Sequence, residues 1–261
     1  MHKARKRFGQ NFLTDSTVIQ QIINNIGAGK NDHLVEIGPG KGAITRQLLP
    51  LCKKLDIIEL DRDLIPILEK TLATSDKTAT KLNIHSADAL TFDFNQLQED
   101  QKLRVVGNLP YNISTPLMFH LLENADCILD MHFMLQKEVV DRLSAKPNTK
   151  AYSKLSVMTQ AQAQVHSLFE ISPESFDPIP KVQSAFVRLI PLENPLIKSE
   201  TKSQFQEIVS NAFAHRRKTL RNNLKKIIQI NAANEVIDLS RRAETLTIEE
   251  FASLIPFLAS N

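Results

Sequence analysis

The sequence predicts an α/β protein built on a doubly wound parallel sheet, followed by a small all-helical domain. Three observations carry this. Strand-like and helix-like segments alternate from His33 to Leu135, the pattern of a parallel sheet with helices on its faces. After Val165 two strand-like runs succeed one another with no helix between them. Beyond Pro195 every periodic segment reads as helix.

Thr14-Asp15-Ser16 can cap a helix whose apolar positions are Val18, Ile19, Ile22, Ile23 and Ile26, with Gly27 and Gly29 to stop it. His33 to Ile37 is a short buried strand, and a helical stretch after it runs to about Leu49. Leu55–Leu60 is the next strand and Leu64–Leu72 the next helix. Leu82–His85 and Leu103–Gly107 are strand-like, Thr115–Leu122 is helical, and Ile128–Leu135 is a strand with mixed faces. Val165–Ile171 and Ala185–Ile190, joined through Pro173, Pro178 and Pro180, suggest a closing hairpin at one sheet edge. Pro191 to Pro195 reads as a linker, which sets the expected domains at 1–192 and 193–261. Helices are expected at Gln204–Ala214, Leu220–Ile230 and Ile248–Leu258, the last opened by the capping box Thr247-Ile248-Glu249-Glu250.

Composition narrows the class. With 261 residues, 42% hydrophobic and 23% charged, the chain can bury an ordinary core. A formal charge of +3 is too small to identify a nucleic-acid partner, so local clustering must decide. Cys52 and Cys127 are far apart, and the histidines form no ligand-spaced motif, so neither a disulfide framework nor a metal site is expected. No apolar run approaches the roughly 18 residues of a membrane helix. The basic start leads into Phe8-Gly9-Gln10-Asn11 rather than an apolar stretch, which argues against a signal peptide and for a cytoplasmic location.

Glu36-Ile37-Gly38-Pro39-Gly40-Lys41-Gly42 comes after a strand and opens a helix. Glycines there allow a sharp turn and close approach of a ligand to the backbone, although such loops also occur as plain structural turns. It is not a Walker loop, because no Gly-Lys-Ser/Thr follows a four-residue gap. Glu59 ends the second strand where a ribose-binding acid belongs in such folds, and Asp88 comes just after the third. Singly, each is as well explained as a solvated acid or a turn residue, as Asp61 and Asp63 illustrate. Together they sit at the carboxyl ends of successive strands, where open α/β sheets bind ligands. A nicotinamide dinucleotide and S-adenosylmethionine both fit this set. The Gly-x-Gly-x-Gly spacing departs from the dinucleotide pattern, whose third glycine lies one residue later. Glu36 can offset the positive amine of a methionine moiety.

The fourth strand ends in Asn108-Leu109-Pro110-Tyr111. The exocyclic amine of adenine is a poor nucleophile because its lone pair is delocalised into the ring. An amide oxygen (Asn108) and a backbone carbonyl (Leu109) can each accept one of its hydrogens and aim the lone pair at an electrophile. Pro110 fixes the turn, and Tyr111 can stack on an extruded base. The plain alternative is a strand-terminating turn.

These residues, with Phe8 to Leu13, Ile58-Glu59-Leu60-Asp61, Asp88-Ala89, Pro178 to Ser184, Arg216-Arg217-Lys218-Thr219-Leu220 and Arg242-Ala243-Glu244, make the chain resemble the ribosomal RNA adenine dimethylases, specifically their bacterial small-subunit group. The resemblance implies a class I methyltransferase fold, Rossmann-like, with a seven-stranded mixed sheet and a helical C-terminal rRNA-binding domain. It implies S-adenosylmethionine as cofactor, and N6,N6-dimethylation of two adjacent adenosines near the 3′ end of 16S rRNA in the small ribosomal subunit. By position, Asn11, Leu13, Glu36, Gly38, Gly40, Glu59 and Asp88 would surround the cofactor. Asn108 would lie between cofactor and target, and Phe176 would stack on the target from its other side. Gln183 stands where many relatives have an acid.

Two basic clusters are candidates for phosphate contacts: Lys3, Arg5, Lys6 and Arg7, and Arg216, Arg217, Lys218 and Arg221 with Lys225 and Lys226. A solvated tail and helix face are the simpler readings; the resemblance favours rRNA for the second cluster. The enzyme is expected to act as a monomer on a partly assembled subunit and to serve ribosome biogenesis. Three rivals stand against this. A non-catalytic assembly factor is opposed by the intact Asn108, Tyr111, Glu59 and Asp88. A nicotinamide-dependent oxidoreductase is opposed by the glycine spacing. The 23S rRNA adenine methylase of macrolide resistance has a helical domain that is not expected to carry the Arg216 to Leu220 run.

Overall fold

Short aliphatic runs form the strands, and a computed structural model, which describes residues 10–72 and 81–259, places seven of them in one sheet. Its strands are β2 (His33–Ile37), β3 (Lys54–Glu59), β4 (Leu82–Ser86), β5 (Leu103–Asn108), β6 (Ile128–Gln136), β7 (Ala163–Ile171) and β9 (Ser184–Pro191). Their order is β4-β3-β2-β5-β6-β9-β7. The first five pair in parallel, and β9 runs antiparallel to β6. Every residue of β2 is buried, as expected of a parallel strand covered on both faces. Gly107 lies where β5 meets β2, and a Cβ there would stand 2.8 Å from the Ile37 carbonyl oxygen.

Two strands lie outside what the sequence pattern predicts. β1 (Phe12–Leu13) and β8 (Phe176–Asp177) form a separate antiparallel pair. Helix α1 (Ser16–Ile26) comes next, capped as expected by Asp15, whose Oδ1 accepts from the amides of Thr17 and Val18 at 2.9 and 3.2 Å. Gly27, at φ 57°, ends it. The helix after the glycine loop, α2 (Thr45–Leu48), is shorter than expected, whereas α3 (Ile65–Leu72) and α4 (Ser114–Glu123) lie close to where periodicity puts them. Then come α5 (Lys137–Leu143) and α6 (Lys154–Gln160), neither of which is among the helices expected from the sequence.

The described residues up to Val140 group with His166–Pro191 as one unit; 141–165 group with the residues from Leu192 onward as a second. The division differs from the single boundary at 192/193 because α6 packs with the helical segment. Tyr152 lies edge-on to Phe213 at 6.3 Å, and the Leu192 amide donates to the Gln162 carbonyl at 2.9 Å. The second unit continues with α7 (Lys202–Ala212), α8 (Leu220–Leu224), α9 (Ile230–Val236) and α10 (Ile248–Ala252) around buried Phe205, Ile208, Leu224, Phe251 and Leu254. The single helix expected over Leu220–Ile230 stops at Leu224, and Ile228 forms a β-bridge with Leu258 instead. The last expected helix breaks before Pro256, which has no N–H to continue it.

One polar network ties the first unit together. Arg104 on β5 reaches both oxygens of the fully buried Asp130 on β6 at 2.9 and 3.0 Å. It also donates to Asp32 at 2.7 Å and to the Ile26 carbonyl, at the end of α1, at 2.7 Å. Arg188 on β9 donates to the same Asp130 at 2.7 Å. Without Arg104 the buried Asp130 keeps only the partly exposed Arg188, and the Asp32 and Ile26 contacts are lost. We therefore expect Arg104→Met to cost about 3–5 kcal/mol in urea unfolding; a loss within experimental error would mean that the network contributes nothing to the sheet.

Candidate active site

The carboxyl ends of the parallel strands converge on a cavity of about 370 Å³. The strand β2 leads into the Gly38–Gly42 turn there, β3 ends in Glu59, β4 leads to Asp88, and β5 ends in Asn108. Every predicted cofactor and catalytic residue lines this cavity: Asn11, Leu13, Glu36, Gly38, Gly40, Glu59, Asp88, Asn108, Leu109, Pro110, Tyr111 and Phe176. Convergence at one edge of an open sheet is the arrangement that binds ligands in α/β folds.

The glycine loop is held by the Gly38 amide, which donates to the Ile58 carbonyl at 2.9 Å. Gly40, at φ 59°, adopts a left-handed conformation, and a Cβ there would meet the Phe12 ring at 3.0 Å. Lys41 Nζ lies 4.5 Å from the centre of that ring, a cation–π contact. The loop and the β1 segment therefore fit against each other only because residue 40 has no side chain.

Two acids in the cavity wall are buried. Burial pushes the Glu36 carboxyl up to about 7, and the nearby Glu59 charge adds to the effect. Glu36 Oε2 has no hydrogen-bond partner among the described residues. Burial also raises the Glu59 carboxyl, although its Oε1 accepts from the Asp61 amide at 2.8 Å. Asp88 is fixed by the Leu90 amide at 2.9 Å. The Thr45 hydroxyl offsets only part of the burial of Glu36, and a buried acid with one oxygen unpartnered in a cavity wall suits a positively charged ligand group.

The Asn108 side chain is held at one end. Its Nδ2 donates to the Asn11 backbone carbonyl at 2.9 Å. A carbonyl can only accept, so Oδ1 is the end left over. Asn11 precedes β1, and β1 is pinned to β8 with Leu13 opposite Phe176. The Thr14 amide donates to the Ser175 carbonyl at 2.9 Å, securing the same segment. The Tyr111 hydroxyl is within 3.1 Å of Ser184 Oγ at the start of β9. Phe176 is almost fully buried.

Gln10 and Phe12 also line the cavity, although the sequence does not single them out as site residues. Gln10 Nε2 donates to Asp61 at 3.0 Å. A two-residue strand has no periodicity to read, so only the resemblance of Phe8 to Leu13 to a known pattern points there. Arg216, Arg217, Lys218 and Arg221 belong to the second unit and are exposed. Arg216 donates to the Lys150 carbonyl at 2.5 Å and Arg221 to Asn234 at 2.9 Å, so these two also serve local packing. Lys3, Arg5, Lys6 and Arg7 lie outside the described residues. Among the described residues, no helix is long and apolar enough to cross a membrane.

A family profile for "Ribosomal RNA adenine dimethylase" matches residues 1–260. A "Ribosomal RNA small subunit methyltransferase A" from Saccharophagus degradans is 54% identical over 257 residues, covering 97% of this chain and 94% of the relative. A protein of the same name from Marinomonas sp. is 50% identical, covering 98% and 96%. A dimethyladenosine transferase from Plasmodium falciparum superposes with a TM-score of 0.80 at 24% identity, covering 95% of this chain and 99% of that one. The 23S rRNA methyltransferase ErmE superposes at 0.73 with 22% identity, covering 94% and 98%. These two structures show a shared fold.

The loop geometry gives a direct test. Gly40→Ala places a methyl against Phe12 in a strained backbone conformation, and should cost about 1–3 kcal/mol of stability. Urea unfolding measures it; an unchanged midpoint would mean that Phe12 moves aside freely.

Proposed function

We propose that this chain, which belongs to the ribosomal RNA adenine dimethylase family, transfers methyl groups from S-adenosylmethionine to the exocyclic amines of adenines in small-subunit ribosomal RNA. The targets are two adjacent adenosines near the 3′ end of 16S rRNA within the small ribosomal subunit, each receiving two methyls. The chain acts as a monomer in the cytoplasm, as part of ribosome biogenesis. Arg216, Arg217, Lys218 and Arg221 meet RNA phosphates in this reading.

The cavity suits the cofactor. Glu36, buried and with a partnerless oxygen, matches the positive amine of its methionine part. Glu59 can accept from ribose hydroxyls and Asp88 from the adenine amino group, while Gly38 and Gly40 let the backbone approach. When bound, S-adenosylmethionine supplies an electrophilic methyl group on a sulfonium sulfur.

The rest of the chemistry is positioning. In the first transfer Asn108 Oδ1 and the Leu109 carbonyl accept the two hydrogens of the adenine amine. In the second, one of the two oxygens accepts the single hydrogen that remains, and the proton released at each transfer passes to solvent. These hydrogen bonds draw the amine's lone pair out of conjugation and fix its direction. Tyr111 and Phe176 present aromatic faces to the extruded base. Both are held, Tyr111 by Ser184 and Phe176 by β1, so the base meets a preorganised slot. Fixed dipoles of this kind supply rate without a strong general base. One observation carries the reading: an amide pinned by its nitrogen end stands in the same cavity as the partnerless Glu36 oxygen.

Methyl transfer onto unmethylated small subunits, with modified nucleotides mapped, tests it. Wild type should modify the two adjacent adenosines; methylation only of large-subunit RNA would overturn the assignment. Asn108→Ala should lower kcat by about 10²-fold or more, the scale of losing one preorganised hydrogen-bonding group. Cofactor affinity should be largely retained, and equal loss of both would contradict the role given to Asn108.

Glu36 makes cofactor binding pH-dependent. Its carboxyl, raised to about 7, is neutral below that pH and attracts an ammonium only above it. Affinity should therefore rise between about pH 6 and 7, where an α-amine of pKa about 7.7–8.0 is still mostly protonated. Calorimetry on wild type and Glu36→Gln measures this; a profile that the substitution leaves unchanged would remove Glu36 from the cofactor's amine.

A further inference from the structure

Seven residues between two anchored points of the cavity wall form an exposed loop, Asp177 to Gln183. At one end, Phe176 lines the cavity and Asp177 pairs with Phe12. At the other, the Gln183 carbonyl accepts from the Lys137 amide at 2.9 Å, and Ser184 Oγ lies 3.1 Å from the hydroxyl of Tyr111, another lining residue. Between these ends Ile179 is 65% exposed and Val182 43% exposed, with exposed Lys181 between them. Pro178 and Pro180 flank Ile179 and stiffen the tip, and Pro180 is itself buried. An exposed apolar pair on a rigid, anchored loop is a different feature from a single surface leucine.

The proposed reaction supplies a partner for it. A base that enters the cavity leaves a gap in its stack, bounded by the apolar faces of its neighbours. Proteins that unstack bases commonly insert Ile, Leu, Met, Phe or Pro beside them. We propose that the loop Asp177–Gln183 fills the space vacated by the target adenosine, with Ile179 and Val182 against the flanking bases and Lys181 against the RNA backbone. This rests on the reading of the cavity as an adenine methylation site and assigns its loop a substrate contact.

Two measurements decide it. The double variant Ile179→Ser, Val182→Ser removes only exposed apolar surface. On unmethylated small subunits its kcat/KM should fall about tenfold, the scale of one base contact, with S-adenosylmethionine affinity unchanged. Wild-type kinetics in this variant would overturn the loop proposal and leave the methylation reading standing; a wild-type chain that transfers no methyl group would overturn both. The two natural cysteines are buried, so Ile179→Cys can be labelled selectively with a benzophenone. Crosslinks to nucleotides beside the methylated adenosines support the proposal. Crosslinks confined to ribosomal protein, to distant RNA or to nothing would refute it.

Discussion

The catalytic reading turns on a hydrogen bond between the Asn108 side chain and the Asn11 backbone. A carboxamide has two ends of nearly equal size, and only its partners decide which end faces where. The Asn11 carbonyl takes the nitrogen of Asn108 at 2.9 Å, so the oxygen is the end that can serve an amine. That choice depends in turn on a peptide strap far away in sequence. The strap is fixed by the β1–β8 pair, by the Ser175 carbonyl and by Asp15, which caps α1 and also accepts from Ser175 Oγ at 3.3 Å. Residues 11–13, before the first helix, thus set which way the Asn108 amide faces.

Burial treats charge in two ways in this unit. In the scaffold, buried acids are satisfied. Asp56 accepts from His33, His85 and Asn83 at 2.5, 2.6 and 3.0 Å. Burial alone would raise its carboxyl, but those bonds outweigh it and hold the group down at about 2. Asp130 is met by two arginines. Glu36 is buried as deeply, yet one oxygen has no partner among the described residues and its carboxyl is pushed up to about 7. A strongly shifted acid with an unpartnered oxygen in a cavity wall is a candidate binding group.

Much of this is legible in the chain. The sheet and its helices come from alternating apolar runs, and Asp15 and Gly27 mark the ends of α1 as capping chemistry requires. Glu59, Asp88 and Asn108 can be placed in one site because successive strands of such a sheet end on one edge. The illegible part depends on contacts between distant residues. β1 and β8 are two residues each and exist only through their mutual pairing. The orientation of Asn108 is set by residue 11, across nearly a hundred positions. The grouping of 141–165 with the helical unit depends on packing such as that of Tyr152 on Phe213. The break at Leu224 is likewise tertiary, since Ile228 leaves the helix to pair with Leu258.

The placement of one amide oxygen decides the chemistry, and a crystal structure of the chain with S-adenosylhomocysteine and a target adenosine would show it. Asn108 Oδ1 is expected within about 3 Å of the adenine exocyclic nitrogen, with Nδ2 still on the Asn11 carbonyl and the adenine nitrogen facing the sulfur. An amide turned the other way, or a purine held with its amine out of reach of Asn108, would contradict it.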